Sequence, residues 1–293
     1  MEEKDYPNYF IAGDRASLEA QKKYVYLSRV GLIITFIASL ITIYEFENIS
    51  YKVYIYYVIL ILFFSAFILS IILKEYNYGD TWYNGRALAE SCKTLTWRFM
   101  MNSESFEIGL KEKDACKKFI DSIENIVKEM PEIIKNISID NKIDIITNKM
   151  KEVRQKSLDK RKDFYLTYRI NNQIEWYLKK GNSNDYKNKL YYYIIIVSYI
   201  ISFIVILCLI FNPESKFNFV GVFTTFSASI FSWMQLKKYR ENKDAYRIAL
   251  NELNIIKERF KTIETEEDFV KFVLDSENAM SREHTLWLAQ RRI

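Results

Sequence analysis

Gly31, Thr35, Ser39 and Thr42 recur at intervals of three and four residues, as do Gly221, Thr225, Ser229 and Ser232, so each set shares one face of a helix. Aligned hydroxyls can line a water-filled path when several chains assemble. Small and hydroxyl residues also let helix backbones approach closely, which any membrane bundle needs. Both readings are open for Thr35, Ser39, Thr42, Thr225, Ser229 and Ser232. Glu45 and Glu47 lie just beyond the first set and could form the acidic outer mouth of a cation path, or could simply be solvated. A third group, Arg86, Glu90, Lys93 and Trp97, falls at i, i+4, i+7 and i+11, where ion-pair and cation–π contacts are within reach. Such a face suits helix packing or the binding of an anionic partner. Catalytic constellations are scarce. With His284 the only histidine, His-pair metal sites are excluded, and no phosphate loop, dinucleotide turn, nucleophile elbow or C-x-x-C is present. No catalytic residue, metal ligand or cofactor is expected, and the chain does not read as an enzyme.

These side chains must be positioned by apolar helices. Residues 30–46, 53–73, 190–211 and 217–236 are runs close to the ~20 residues that cross a ~30 Å hydrocarbon layer. The last three hold no charged residue, and the first holds only Glu45 near its end. A soluble helix of this length would carry a polar face. The expected architecture is therefore all-α: an integral membrane protein with four transmembrane helices as two hairpins, plus a cytoplasmic helical bundle.

The net charge of +5 is distributed as a topology signal. Loops within each pair of runs hold Glu45, Glu47, Lys52, Glu214 and Lys216, whereas the opposite flanks hold Lys22, Lys23, Arg29, Lys74, Lys187, Lys189, Lys237, Lys238 and Arg240. An excess of Lys and Arg marks the cytoplasmic side, which places both termini and the middle of the chain there, in a multi-pass protein of the inner (plasma) membrane. Tyr51, Tyr54, Tyr56, Tyr57 and Tyr191 to Tyr193 fit an interfacial aromatic belt. The basic excess is thus no sign of nucleic-acid binding. The acidic, mixed start of the chain has no signal-peptide pattern. Cys92, Cys116 and Cys208 are far apart and are expected as free thiols.

The chain divides into residues 1–150 and 151–293, each with an amphipathic helix, a membrane hairpin and a helix leaving the membrane. Asp14 is expected to cap a helix running into the first span. Gly181 to Asp185 should break the helix before the third. Ala87-Leu88-Ala89-Glu90 and Ala249-Leu250-Asn251-Glu252 sit at similar distances past the two hairpins, and the strings GLIITFIASLIT and GVFTTFSASIFS match at several positions. Between the units, Cys116 to Met130 keeps helical periodicity until Pro131.

Four segments resemble one family: Asp14-Arg15-Ala16 through Tyr24, WYNGRALAESCKTLTWRFMM from Trp82, Asn172-Gln173 with Trp176-Tyr177, and Glu277 through Trp287. They look like the SLATT domains, the two-transmembrane effectors associated with nucleotide-second-messenger synthases and SLOG sensors in prokaryotic conflict systems, here as two units in tandem. The resemblance implies a membrane effector of antiviral defence that forms pores or perturbs the membrane when a sensing partner signals. It carries over no catalytic or ligand residues. The expected protein is a homo-oligomer in the lipid bilayer that opens a gated, ion-permeable path and depolarises the cell, triggered by a nucleotide second messenger or a cytosolic sensor protein. The alternative is a non-conducting anchor that recruits a cytosolic defence or signalling partner.

Overall fold

The computed structural model describes residues 1–45, 47–140 and 142–289, with side chains as far as Ser281. Phe46, which closes the first apolar run, and the side chains of His284 and Trp287 lie outside the described residues. The described residues are helical: α1 (Asn8–Ile41), α2 (Ile49–Glu75), α3 (Tyr78–Met100), α4 (Glu112–Glu129), α5 (Pro131–Ile134), α6 (Asn148–Arg154), α7 (Leu158–Tyr165), a π-helical segment (Leu166–Asn171), α8 (Asn172–Phe211), α9 (Val220–Lys237), α10 (Tyr239–Arg259) and α11 (Glu266–Ala289). Among them no strand forms; Tyr44 and Phe217 make one antiparallel bridge.

Local chemistry accounts for the boundaries. The Asn48 side chain accepts from the backbone N–H of Ser50 at 2.9 Å and starts α2. At α11, Thr265 and Asp268 form a reciprocal box: Asp268 N–H donates to Thr265 Oγ1 at 3.1 Å and Thr265 N–H to Asp268 Oδ2 at 3.2 Å. Asn77 and Asn102, with φ of 44° and 55°, take the left-handed conformation after α2 and α3, which asparagine tolerates better than most residues. Pro131 ends α4 and opens α5, as its missing N–H requires.

Two boundaries differ from expectation. Asp14 does not cap a helix, because α1 already starts at Asn8, directly after Pro7, and Asp14 lies within it. Gly181 to Asp185 does not break the chain, because α8 runs from Asn172 to Phe211. One glycine costs a helix only about 1 kcal/mol, and helical sequence on both sides offsets it. The Asp185–Lys189 pair, 2.9 Å apart at i, i+4, adds support across the segment.

Three helical stretches, Asn8–Ile41, Ile49–Met100 and Leu158–Phe211, are long and apolar enough to cross a membrane. Of their most apolar windows, only 6%, 0% and 11% respectively is buried inside the chain, so these surfaces are left for lipid. The remaining expected span is α9. At 18 residues it is about 27 Å long, but Thr224, Thr225, Ser227, Ser229, Ser232 and Gln235 make it less apolar than the others.

The residues group into two compact units, each drawing on both halves of the sequence. A polar unit comprises Met1–Gln21, Gly79–Asn182 and the chain from Asn242 onward; an apolar unit comprises Lys22–Tyr78 and Ser183–Glu241. The polar unit is built on a conventional core: Leu88, Trp97, Phe99, Phe119, Tyr165 and Phe269 are at most 1% exposed. In the apolar unit the buried side chains are mostly small, among them Ala38, Ser198, Ser202 and Ser227. Helices in lipid gain close backbone approach from such residues, having no hydrophobic effect to drive them together.

Candidate functional site

In the polar unit α1 and α3 cross at unusually short range. A Cβ on Gly85 would lie 2.9 Å from the Gly13 carbonyl oxygen and 3.0 Å from the Ser17 nitrogen. The Ser17 hydroxyl donates to the Trp82 carbonyl at 2.9 Å, tying the two helices beside the crossing. This contact sets Asp14 of α1 opposite the charged face of α3.

On that face Glu90 lies between two cations, 3.9 Å from Arg86 Nη2 and 3.9 Å from Lys93 Nζ. Arg86, Glu90 and Lys93 thus come together as their spacing predicts. Trp97 belongs to a deeper layer: it is 1% exposed and packs on Tyr165 at 5.7 Å between ring centroids. The rings that the cations meet come from distant sequence. Arg86 lies 6.0 Å from the Trp176 ring, and it is Arg169 that lies 6.0 Å from the Trp97 ring.

Beneath this face is a buried ion pair that sequence spacing did not reveal. Arg169 Nε and Nη2 donate to the two carboxylate oxygens of Glu277 at 2.9 and 2.6 Å, and the Tyr165 hydroxyl donates to Glu277 Oε1 at 2.8 Å. The Arg169 and Glu277 side chains are 3% and 0% exposed. Arg169 sits in the π-helical segment, where an extra residue per turn shifts side-chain direction; such segments recur at functional sites. Two earlier arginines grip the end of α3: Arg154 Nη1 donates to the Phe99 carbonyl and Arg161 Nη1 to the Met101 carbonyl, each at 2.9 Å. Cations there complement the negative end of the helix. Arg161 is itself held by both carboxylate oxygens of Glu266 at 2.7 Å. Arg86, Glu90, Thr94, Arg169, Gln173 and Ser281 line a narrow cleft over this network.

The electrostatics follow from burial. Burial, with the charge of Glu90 second, raises the Asp14 carboxyl above its ordinary range. Burial lowers the Lys93 ammonium, with Glu90 acting in the opposite sense. Burial also works against the charge of Arg169, but the Glu277 carboxylate outweighs it and raises the group. Cys92 is pushed up to about 12 by burial and stays a thiol. Because folding raises the Asp14 value, the unfolded chain releases that proton at lower pH than the folded chain does. The resulting penalty is absent below the ordinary aspartate value, grows as pH rises to the raised value, and is constant above it. Asp14→Asn is therefore expected to raise the unfolding temperature relative to the parent at neutral pH, and to give almost no difference near pH 3.5, below the ordinary value of about 3.9. Paired thermal melts at the two pH values check this; an equal difference at both contradicts it.

In the apolar unit α1 and α9 run antiparallel, with two matched contacts between the helices and a third between the loops at their ends. Arg29 lies 5.1 Å from the Trp233 ring, the Phe36 and Phe226 rings are 5.3 Å apart, and Tyr44 and Phe217 are 5.0 Å apart. The matching strings in these two helices thus belong to packed partners. Their hydroxyls are not equivalent. Thr35, Ser39 and Thr42 donate to Gly31, Phe36 and Ser39 carbonyls of their own helix at 2.7, 2.7 and 2.8 Å. Thr224 and Ser227 do likewise in α9. Among the described residues, the hydroxyls of Thr225, Ser229 and Ser232 have no such acceptor. Nothing lies within 4 Å of where a Cβ on Gly221 would be, so that end of their face is open.

Glu45 and Glu47 are exposed and paired rather than bare. Glu45 lies 3.6 Å from Lys52, and Glu47 pairs with Lys216, which lowers its carboxyl. Glu45 N–H donates to the Lys216 carbonyl at 2.9 Å and Asn218 N–H to the Ile43 carbonyl at 2.8 Å, so backbone bonds lock the two loops together. The exposed ion pairs add little to that. Cys92, Cys116 and Cys208 are free thiols.

The fold is that of a helical membrane protein, with motif segments meeting around a buried charged network. Residues 7–162 match the family model described as SMODS and SLOG-associating 2TM effector domain 3, and residues 165–287 match domain 1 of the same series. The chain belongs to the SLATT family and carries two SLATT domains in tandem. These are two-transmembrane effector domains associated with conflict systems. No curated protein and no solved structure matches the chain.

Proposed function

We propose that this protein is a non-enzymatic effector that spans the inner membrane four times, assembles as a homo-oligomer and opens an ion-permeable path that depolarises the cell in antiviral defence. The observation that carries this reading is the face of α9 bearing Thr225, Ser229 and Ser232. Among the described residues, their hydroxyls lack the carbonyl acceptors used by Thr224 and Ser227. An unsatisfied polar group in hydrocarbon costs free energy, so in the assembled protein Thr225 and Ser232 meet water or a neighbouring copy, with Ser229 at the border between that face and the groove beside α1. A helix less apolar than the other three spans is also the one best suited to leave the lipid.

The basic flanks of the spans support a topology with both termini in the cytoplasm. There the polar unit would meet its trigger, a nucleotide second messenger or a cytosolic sensor protein. Depolarisation on induced expression, followed with a potential-sensitive dye, tests the path. Thr225→Leu combined with Ser229→Leu is expected to slow it on the order of tenfold, equivalent to ~1.4 kcal/mol on the permeation barrier, at unchanged membrane abundance. Thr35→Leu should do much less, since its hydroxyl is satisfied within α1. Unaltered depolarisation in the α9 variant would remove α9 from the path. Growth arrest with an intact potential would move the function to an anchor that recruits a cytosolic partner.

A further inference from the structure

The apolar unit holds a groove of about 280 Å³ between α1 and α9 whose two ends differ in chemistry. Along most of its length the walls are apolar, with Phe36, Phe226 and Ile230 among them, and Ser229, at the border of the hydroxyl face of α9, is the polar exception there. At the other end stand Arg29, Tyr191 and Trp233. Arg29 immediately precedes the first apolar run, so on the four-span reading this end lies at the cytoplasmic edge of the bilayer. The inference rests on that reading.

Arg29 is the informative residue. Its guanidinium lies 5.1 Å from the Trp233 ring, and among the described residues no carboxylate is within ion-pair distance of it. Lys237 Nζ approaches the same ring, at 5.8 Å. The Arg29 guanidinium thus places positive charge at the mouth of an apolar groove. A guanidinium presents a planar fork of donors that matches the two free oxygens of a phosphodiester. The cation–π contact holds that fork in place without neutralising it. Phosphate alone would satisfy Arg29 but leave the groove empty, and an acyl chain alone would fill the groove but leave Arg29 unpaired. A molecule with both parts in the right order is an anionic phospholipid of the inner leaflet.

We propose that this groove binds one anionic phospholipid, with its phosphate on Arg29 and part of an acyl chain between α1 and α9. Since the groove is formed by α9, the helix assigned to the conducting path, bound lipid would brace α9 against α1.

Native mass spectrometry of the full chain, delipidated in detergent and titrated with phosphatidylglycerol or phosphatidylcholine of the same chain length, tests this. The parent is expected to retain the first phosphatidylglycerol about fivefold more tightly than phosphatidylcholine, the effect of one basic group toward an anionic lipid. Arg29→Gln should abolish that preference, Arg29→Lys should keep part of it, and Ile230→Trp, which fills the groove, should weaken both lipids. Equal retention of the two lipids by the parent overturns the proposal. So does an unchanged preference in Arg29→Gln, or displacement of the lipid by inorganic phosphate alone. Membrane fractionation of the same chain separates the two readings: failure to insert defeats the four-span assignment, whereas insertion without lipid preference defeats only this site.

Discussion

Glu277→Gln is expected to destabilise the polar unit by about 3–5 kcal/mol, the usual cost of removing one partner of a buried ion pair. The substitution preserves volume, so packing is not what changes. Arg169 is 3% exposed and keeps its charge, but it would face an amide in place of a carboxylate. One end of that amide is a donor and would oppose either the guanidinium or the Tyr165 hydroxyl, both of which now donate to Glu277. Chemical unfolding of the full chain in detergent, followed by tryptophan fluorescence, reads the loss, because Trp97 lies 6.0 Å from Arg169. Arg169→Met combined with Glu277→Leu should recover most of it, since both buried charges then disappear together. Parent-like stability in Glu277→Gln would show that the pair does not hold the unit together. On the proposed function, the expected consequence is an effector whose polar unit no longer holds its shape while its spans still insert.

The spans and the buried pair were not equally legible in the sequence, and the difference is physical. Lipid is a solvent that demands continuous apolarity, so α2 and the apolar end of α8 can be found from local sequence alone. The i, i+4, i+7 spacing likewise brought Arg86, Glu90 and Lys93 together, because helix geometry fixes neighbours at that range. Trp97 shares their register yet sits in the core, since what covers it comes from Phe164, Tyr165 and Arg169. Glu277 could be quoted as part of a family-like motif, but its partner is 108 residues away and is turned inward by a π-helical segment that a period of 3.6 does not anticipate. The antiparallel pairing of α1 with α9 was hidden for a related reason: a match between two strings says that the helices are alike, not that they touch. Hydroxyl satisfaction was the other hidden layer. Thr224 and Thr225 are adjacent and chemically identical on the same α-helix, and only the side-chain rotamer, which the sequence does not specify, separates the one that is satisfied within its helix from the one that, among the described residues, is not.

Gly85→Val is expected to cost about 2–3 kcal/mol through overpacking, even though valine is the better helix former. A new Cβ would stand 2.9 Å from the Gly13 carbonyl oxygen and 3.0 Å from the Ser17 nitrogen. Both are backbone atoms, so no rotamer change relieves the clash, and α1 must move away from α3. That movement stretches the 2.9 Å bond from Ser17 to the Trp82 carbonyl and withdraws Asp14 from the Arg86, Glu90 and Lys93 cluster. Gly181, in the same unit, supplies the control. Its nearest neighbour would be Tyr246 Cβ at 3.8 Å, an ordinary van der Waals distance, so Gly181→Ala has room and should gain up to about 1 kcal/mol from helix propensity. Thermal melts of the two variants should therefore move in opposite directions from the parent. If both rose, propensity would govern these helices and the close crossing of α1 and α3 would be dispensable; a fall at position 85 alone makes that crossing the contact that sets the charged face in place.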